Sequence, residues 1–132
     1  MASIFTKIIN GEIPCYKIAE DEHHFAFLDI NPIAEGHTLV VPKNEVDYIF
    51  ELSDENLASL NIFAKKVAKG IDDALGTIRT GVIVEGLEVP HAHIHLVPIY
   101  FEGQTVSLGR KTEVSKERME ELSKLISKAV KA

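Results

Sequence analysis

Along the first hundred residues, apolar and polar side chains alternate in short runs separated by Gly, Pro and Asn, the pattern of half-buried β-strands. The alternation predicts strands near Tyr16 to Ala19, His24 to Ile30, Thr38 to Pro42, Ile78 to Glu85 and Ala92 to Ile99. Chain reversals are expected at Asn10-Gly11 and at Asn31-Pro32 with Gly36, because Gly tolerates positive φ and Asn forms local side-chain turns. After the third strand the period lengthens: Leu57, Leu60, Ala64, Val67, Ile71 and Leu75 recur at spacings of three and four, which predicts a helix. Ser53-Asp54-Glu55-Asn56 supplies its N-cap and an acidic first turn, and Gly76 its stop, while Gly70 lies inside the run at some cost in propensity. A closing helix is predicted from about Ser115 to Val130, with Met119, Leu122, Ile126 and Ala129 on one face as core or interface. Strands, a central helix, more strands and a C-terminal helix give an α+β fold, an antiparallel sheet of about five strands covered by helices.

At 132 residues, 45% apolar and 26% charged, the chain suits one domain with a real core rather than a disordered or fibrous one. A net charge of −6 argues against general affinity for nucleic acid or anionic membrane. The charge is uneven, since residues 110–132 hold seven basic and four acidic side chains; this stretch reads as a soluble basic helix. The single cysteine, Cys15, forms no internal disulfide, and the chain therefore reads as one from a reducing compartment, with the cytoplasm expected. Thr6, Lys7 and Asn10 interrupt the apolar run around Ile4, Phe5, Ile8 and Ile9, so no signal segment is expected, and no stretch of about 18 apolar residues could span a bilayer. No Walker-type phosphate loop is present, because Gly11, Gly36, Gly81 and Gly86 are too scattered.

The informative segment is Pro90-His91-Ala92-His93-Ile94-His95-Leu96-Val97-Pro98. On a strand, Ala92, Ile94 and Leu96 would be buried and His91, His93 and His95 would share the opposite face. Each imidazole would need its own partner if buried, which weighs against a purely structural set. Two chemistries remain open on spacing alone. Three imidazoles can hold zinc with a fourth ligand or water. Alternatively, one imidazole can attack phosphorus, being largely unprotonated near neutral pH, while its neighbours carry protons. His23-His24 reads as turn histidines exposed to solvent, since adjacent strand residues point to opposite faces, and Lys43 as a solvated strand-end charge.

His91, His93 and His95 match the His-x-His-x-His signature of the histidine triad (HIT) family, which the chain resembles. Three further blocks resemble its nucleoside-binding, Hint-like branch: Ile4 to Pro14, Ala26 to Pro32 and Gly36 to Lys43. The resemblance spans about residues 3 to 100, leaving residues 110–132 as a helical tail. It implies a HIT-like fold and release of a nucleoside monophosphate, preferably purine and AMP-like, from phosphoramidate, ester or anhydride substrates. His93 would attack the α-phosphorus to form a nucleotidyl-histidine that water resolves. His91 and His95 would orient it, pass protons and bind phosphate oxygens, and His37 matches a fourth histidine beside the triad. Asp29 matches the acceptor for the ribose hydroxyls, and Phe5, Ile8, Phe27 and Ile30 the apolar walls around the base. No cofactor or metal is implied for this chemistry. A homodimer through the Leu57 to Leu75 helix and its following strand is implied, with no nucleic acid or membrane partner.

Two departures from the family pattern stand out. Val82 to Pro90 lacks the Asn, Gln and Ser or Thr expected before the triad, so backbone amides around Gly86 would have to bind phosphate, while Glu85 and Glu88 would repel it. The alternative that follows is a nucleotide-binding or signalling module with little turnover. The second departure concerns zinc: some bacterial relatives place a Cys-x-x-Cys pair near the N-terminus, where this chain has Ser3 and Thr6, poor zinc ligands beside thiolates.

Overall fold

The structure, a computed structural model, describes residues 2–130. It opens with an element that the alternation does not predict, a short helix α1 (Ile4–Ile9). Ser3 caps it by accepting the Thr6 N–H at 3.1 Å, and the chain leaves it through Gly11 at φ 82°. The interrupted apolar run around Ile4, Phe5, Ile8 and Ile9 is therefore helical, and Phe5 is its buried residue.

The strands are β1 (Lys17–Glu20), β2 (His24–Leu28), β3 (Thr38–Pro42), β4 (Arg79–Ile83) and β5 (Ile94–Ile99). They form one sheet in the order β1-β2-β3-β5-β4, and every adjacent pair is antiparallel. β5 begins at Ile94, so His91 to His93 form its approach rather than its first residues. Helix α2 (Asp54–Leu75) and helix α3 (Lys116–Ala129) cover one face. Ser53 and Ser115 cap them through their hydroxyls, and Gly76 at φ 62° ends α2. A 3₁₀ turn at Ile49–Glu51 leads into α2.

Alternation sorts the sheet side chains between two cores. Ala26, Leu28, Val40, Ile94 and Leu96 meet Leu60, Val67 and Ile71 of α2 and Met119, Leu122 and Ile126 of α3. The C-terminal helix is thus part of the main core rather than a tail beyond it. Phe25, Phe27, Leu39 and Val41 face the other way and meet Phe5 of α1. Because both faces are covered, β2 and β3 are buried along their whole length. Register then aligns the α1 face: Phe27 lies opposite Leu39, Leu39 opposite His95, and His95 opposite Ile83. His24 departs from the expected exposed turn. It is buried, stacked on Phe63 with ring centroids 5.0 Å apart, and bonded to Asp21 and Ser59, while His23 stays exposed. Lys43 is paired with Glu20 at 2.7 Å rather than free in solvent.

No helix among the described residues is long and apolar enough to cross a membrane. Gly70, a cost in the isolated helix, has a packing reason. A Cβ there would lie 3.0 Å from the backbone nitrogen and Cα of Val130, where the end of α3 crosses α2. Gly70→Ala is therefore expected to destabilise the protein by about 1–3 kcal/mol, against the helix-propensity trend, as read from urea unfolding midpoints.

Candidate active site

The register brings the sequence's histidines to one place under α1. His91, His37, His93 and His95 are all buried, yet each has found a partner. Their partners determine where the ring protons sit. The Ile33 backbone N–H donates to His37 Nδ1 at 3.1 Å, so that nitrogen is the acceptor. His37 therefore carries its proton on Nε2 and donates it to His95 Nδ1 at 3.0 Å. His95 in turn carries its proton on Nε2. In the same way, His93 Nδ1–H donates to the His91 carbonyl at 2.7 Å, leaving a lone pair on His93 Nε2. No buried side-chain nitrogen or oxygen lacks a partner among the described residues, so the unpartnered Nε2 atoms of His93 and His95 must reach open space.

His93, His95 and Asp29 line a cavity of about 200 Å³, walled by Phe5, Ile8, Phe27 and Ile30. Seven of the ten residues singled out in the sequence thus line a single cavity. Phe5 packs edge-on against His93 with centroids 4.9 Å apart, which fixes the plane of the ring. Ile30, 70% exposed, forms the outer lip. Asp29 Oδ1 accepts the Asn31 N–H at 2.8 Å.

Three predicted residues lie elsewhere. His37 stands behind the wall and acts on the cavity through His95. His91 has both ring nitrogens occupied: Nε2–H donates to the Pro42 carbonyl at 2.7 Å, and Nδ1 accepts from the Ser3 hydroxyl at 2.8 Å. It has no donor or acceptor left for a phosphate oxygen, contrary to the role the resemblance implies. Gly86, at φ 74°, lines a second and larger cavity of about 560 Å³ with Tyr48, Phe50, Val82 and Leu87, and His93 lines that cavity as well. Glu88 sits on the rim of the histidine cavity, whereas Glu85 faces the larger one.

Burial keeps His37, His91 and His95 neutral. It pushes His37 down to about 4 and His95 to about 3, with the nearby positive charge of Lys111 acting in the same direction. His91 is lowered as well, chiefly by burial. Burial raises the Asp29 carboxyl, against the pull of the Asn31 N–H, Lys111 and His93. Asp29 Oδ2 lies 3.6 Å from His37 Nε2, but the neutral ring makes this no ion pair, and the Nε2 proton goes to His95. Asp29, His37 and His95 are the group among the described residues whose donor atoms could converge on a metal, lying within 4.8 Å of one another. Their mutual hydrogen bond already occupies the lone pair of His95 Nδ1 that a metal would need. Lys111 was not singled out in the sequence. The Thr112 N–H donates to the Pro32 carbonyl at 2.8 Å and so returns that segment to the Asp29 loop.

The chain also matches known proteins. The HIT domain family model matches residues 10–102. The chain is 36% identical over 133 residues to the adenosine 5′-monophosphoramidase of Schizosaccharomyces pombe, covering 99% of this chain and all of that one. It is also 36% identical to the protein hit of Bacillus subtilis, covering 97% and 92%. In structure it is similar to a hypothetical histidine triad nucleotide-binding protein from Sulfolobus tokodaii, with a TM-score of 0.86, 33% identity and coverage of 96% and 91%.

The lowered His37 and His95 values carry a pH prediction. Unfolding returns both rings to about 6.5, so the unfolded state binds more protons below that pH and stability falls as acid is added. Urea midpoints are expected to drop from pH 6.5 toward pH 4. His37→Asn, which keeps an acceptor for the Ile33 N–H, should show a shallower drop.

Proposed function

Since this chain belongs to the HIT family, we propose that it is a nucleotide hydrolase or transferase that releases a nucleoside monophosphate through a nucleotidyl intermediate on His93. The observation that carries this reading is the free lone pair of His93 Nε2, on a ring that lines one cavity with Asp29 and His95. In the first step, Nε2 forms a bond to the α-phosphorus as the bond to the leaving group breaks. The leaving amine takes up a proton from solvent; water then attacks the phosphorus, giving a proton back to solvent, and the P–N bond breaks, returning the imidazole. The Nε2–H of His95 donates to a phosphate oxygen where negative charge gathers, and the His37 bond to His95 Nδ1 keeps the proton of the neutral ring on Nε2. The free Oδ2 of Asp29 accepts from the ribose hydroxyls, and Phe5, Ile8, Phe27 and Ile30 enclose a purine base. His91 orients His93 and makes no phosphate contact. Adenosine 5′-monophosphoramidase relatives support an adenosine phosphoramidate as the test substrate. The cytoplasm fits a lone cysteine and the absence of a membrane-crossing helix among the described residues.

One observation favours a second reading, a nucleotide-binding module with little turnover. No hydroxyl or amide side chain occupies residues 82–90, and Glu88 stands at the cavity rim. Binding without release of the leaving group would identify it.

We further read the chain as a homodimer. β4 is an edge strand, and beside it Val82 is 63%, Phe50 69% and Leu87 87% exposed, a continuous apolar surface of the kind that partners cover. Sedimentation velocity is expected to show a dimer that Val82→Glu converts to monomer; a monomeric wild type would remove this reading.

With an adenosine phosphoramidate, His93→Ala is expected to lose about 10³-fold or more in turnover while AMP affinity stays within about tenfold, since a lost nucleophile affects the transition state most. Asp29→Ala should weaken ribonucleotides more than 2′-deoxy analogues, by about 1–3 kcal/mol for a charge-assisted hydrogen bond. Release of AMP is followed by chromatography, and an AMP-sized adduct on wild-type protein by mass spectrometry. Residual turnover of His93→Ala near wild type would remove His93 as nucleophile.

A further inference from the structure

Ser3 and Thr6, which the family resemblance sets against a zinc-binding cysteine pair, have surroundings of another kind. The Ser3 hydroxyl donates to His91 Nδ1 at 2.8 Å and accepts the Thr6 N–H at 3.1 Å. The Ser3 N–H donates to Glu45 Oε1 at 2.7 Å, and the Thr6 hydroxyl donates to the same oxygen at 2.5 Å. A metal would require the lone pair of His91 Nδ1, which Ser3 occupies, and neutral hydroxyls are weak zinc donors. The residues do not fit a metal; they form a closed hydrogen-bond circuit.

The circuit leads to the reacting atom. His91 is held at its ring by Ser3 and by the Pro42 carbonyl, and its backbone N–H donates to the Val89 carbonyl at 2.8 Å. The next residue, Ala92, donates its N–H to Val46, one position from Glu45. What these contacts fix is the His91 carbonyl, the acceptor that keeps the proton of His93 on Nδ1. We propose that Ser3, Thr6 and Glu45 form a metal-free clamp that positions the His91 carbonyl and thereby holds His93 with its Nε2 lone pair facing the cavity. They are positioning residues and touch no substrate. The proposal rests on His93 being the nucleophile, and its test includes a readout that needs no turnover.

Ser3→Gly suits the test because Gly still serves as an N-cap, at a cost of a few tenths of a kcal/mol, while removing the hydroxyl that reaches His91. In ¹⁵N spectra of the imidazoles, wild type should show His93 as a single Nδ1–H tautomer and His91 as an Nε2–H tautomer. In Ser3→Gly and in Glu45→Ala, His93 should become a mixture of tautomers. Turnover should fall about ten- to a hundredfold with KM within about twofold, the signature of a misplaced reacting group. Ser3→Thr, which restores the hydroxyl, should recover both. Unchanged His93 resonances with unchanged kcat in both variants would overturn the clamp. Stoichiometric zinc in the purified protein, removed by chelator with a change in the His91 resonances, would overturn it as well. A wild type that turns over no phosphoramidate would count against the hydrolase reading alone, because the nitrogen spectra report on the clamp without substrate.

Discussion

The hydrogen bond from His93 Nδ1 to the His91 carbonyl, 2.7 Å long, selects which nitrogen of the middle histidine faces the cavity. A free neutral imidazole exchanges its proton between two nitrogens, and a nucleophile that spends part of its time in the wrong tautomer is weakened in proportion. The bond requires a carbonyl whose position does not drift. Ordinary strand pairing cannot supply it, because His91 lies before β5 and outside the ladder. The chain fixes it instead from three sides: the N-terminus of α1, the end of β3 at Pro42, and the segment at Val46.

The second histidine pair obeys the same rule by a different route. His37 receives a backbone N–H and passes its own proton toward His95, so both tautomers follow from one amide, that of Ile33. Burial favours the neutral form of each ring, and each neutral ring offers one donor and one acceptor, the number this relay uses. A protonated ring would bring two donors face to face within the pair. Neutrality and geometry therefore support each other, and acid disturbs both together.

Much of the fold was legible because its signals are local. Ser53, Gly76 and Ser115 mark helix ends through bonds to residues three or four positions away, and the alternation of Ala26 and Leu28 with Phe25 and Phe27 assigns them to opposite faces. The His91-x-His93-x-His95 spacing, with Asp29 and the walls at Phe5, Ile8, Phe27 and Ile30, was legible through resemblance, and the structure gathers all but His91 around one cavity. Helix α1 was not legible as a helix. Its six residues are too short for periodicity to separate from an interrupted apolar run, and packing of Phe5 on the histidines stabilises it more than propensity does. Gly86 was not legible by period, because a loop residue carries none, and the structure sets it on a second cavity that His93 also lines.

The sequence by itself determined the five strands, the two long helices and the face on which each strand residue lies, since these depend on residue type and on spacings of two to four. Tertiary structure alone decided the protonation pattern. Ser3 meets His91 across 88 positions, His37 meets His95 across 58, and Thr112 returns Lys111 to the Asp29 loop across 80. An imidazole's tautomer depends on what stands opposite each nitrogen, and those partners become neighbours only when the sheet register is set and α1 folds onto it.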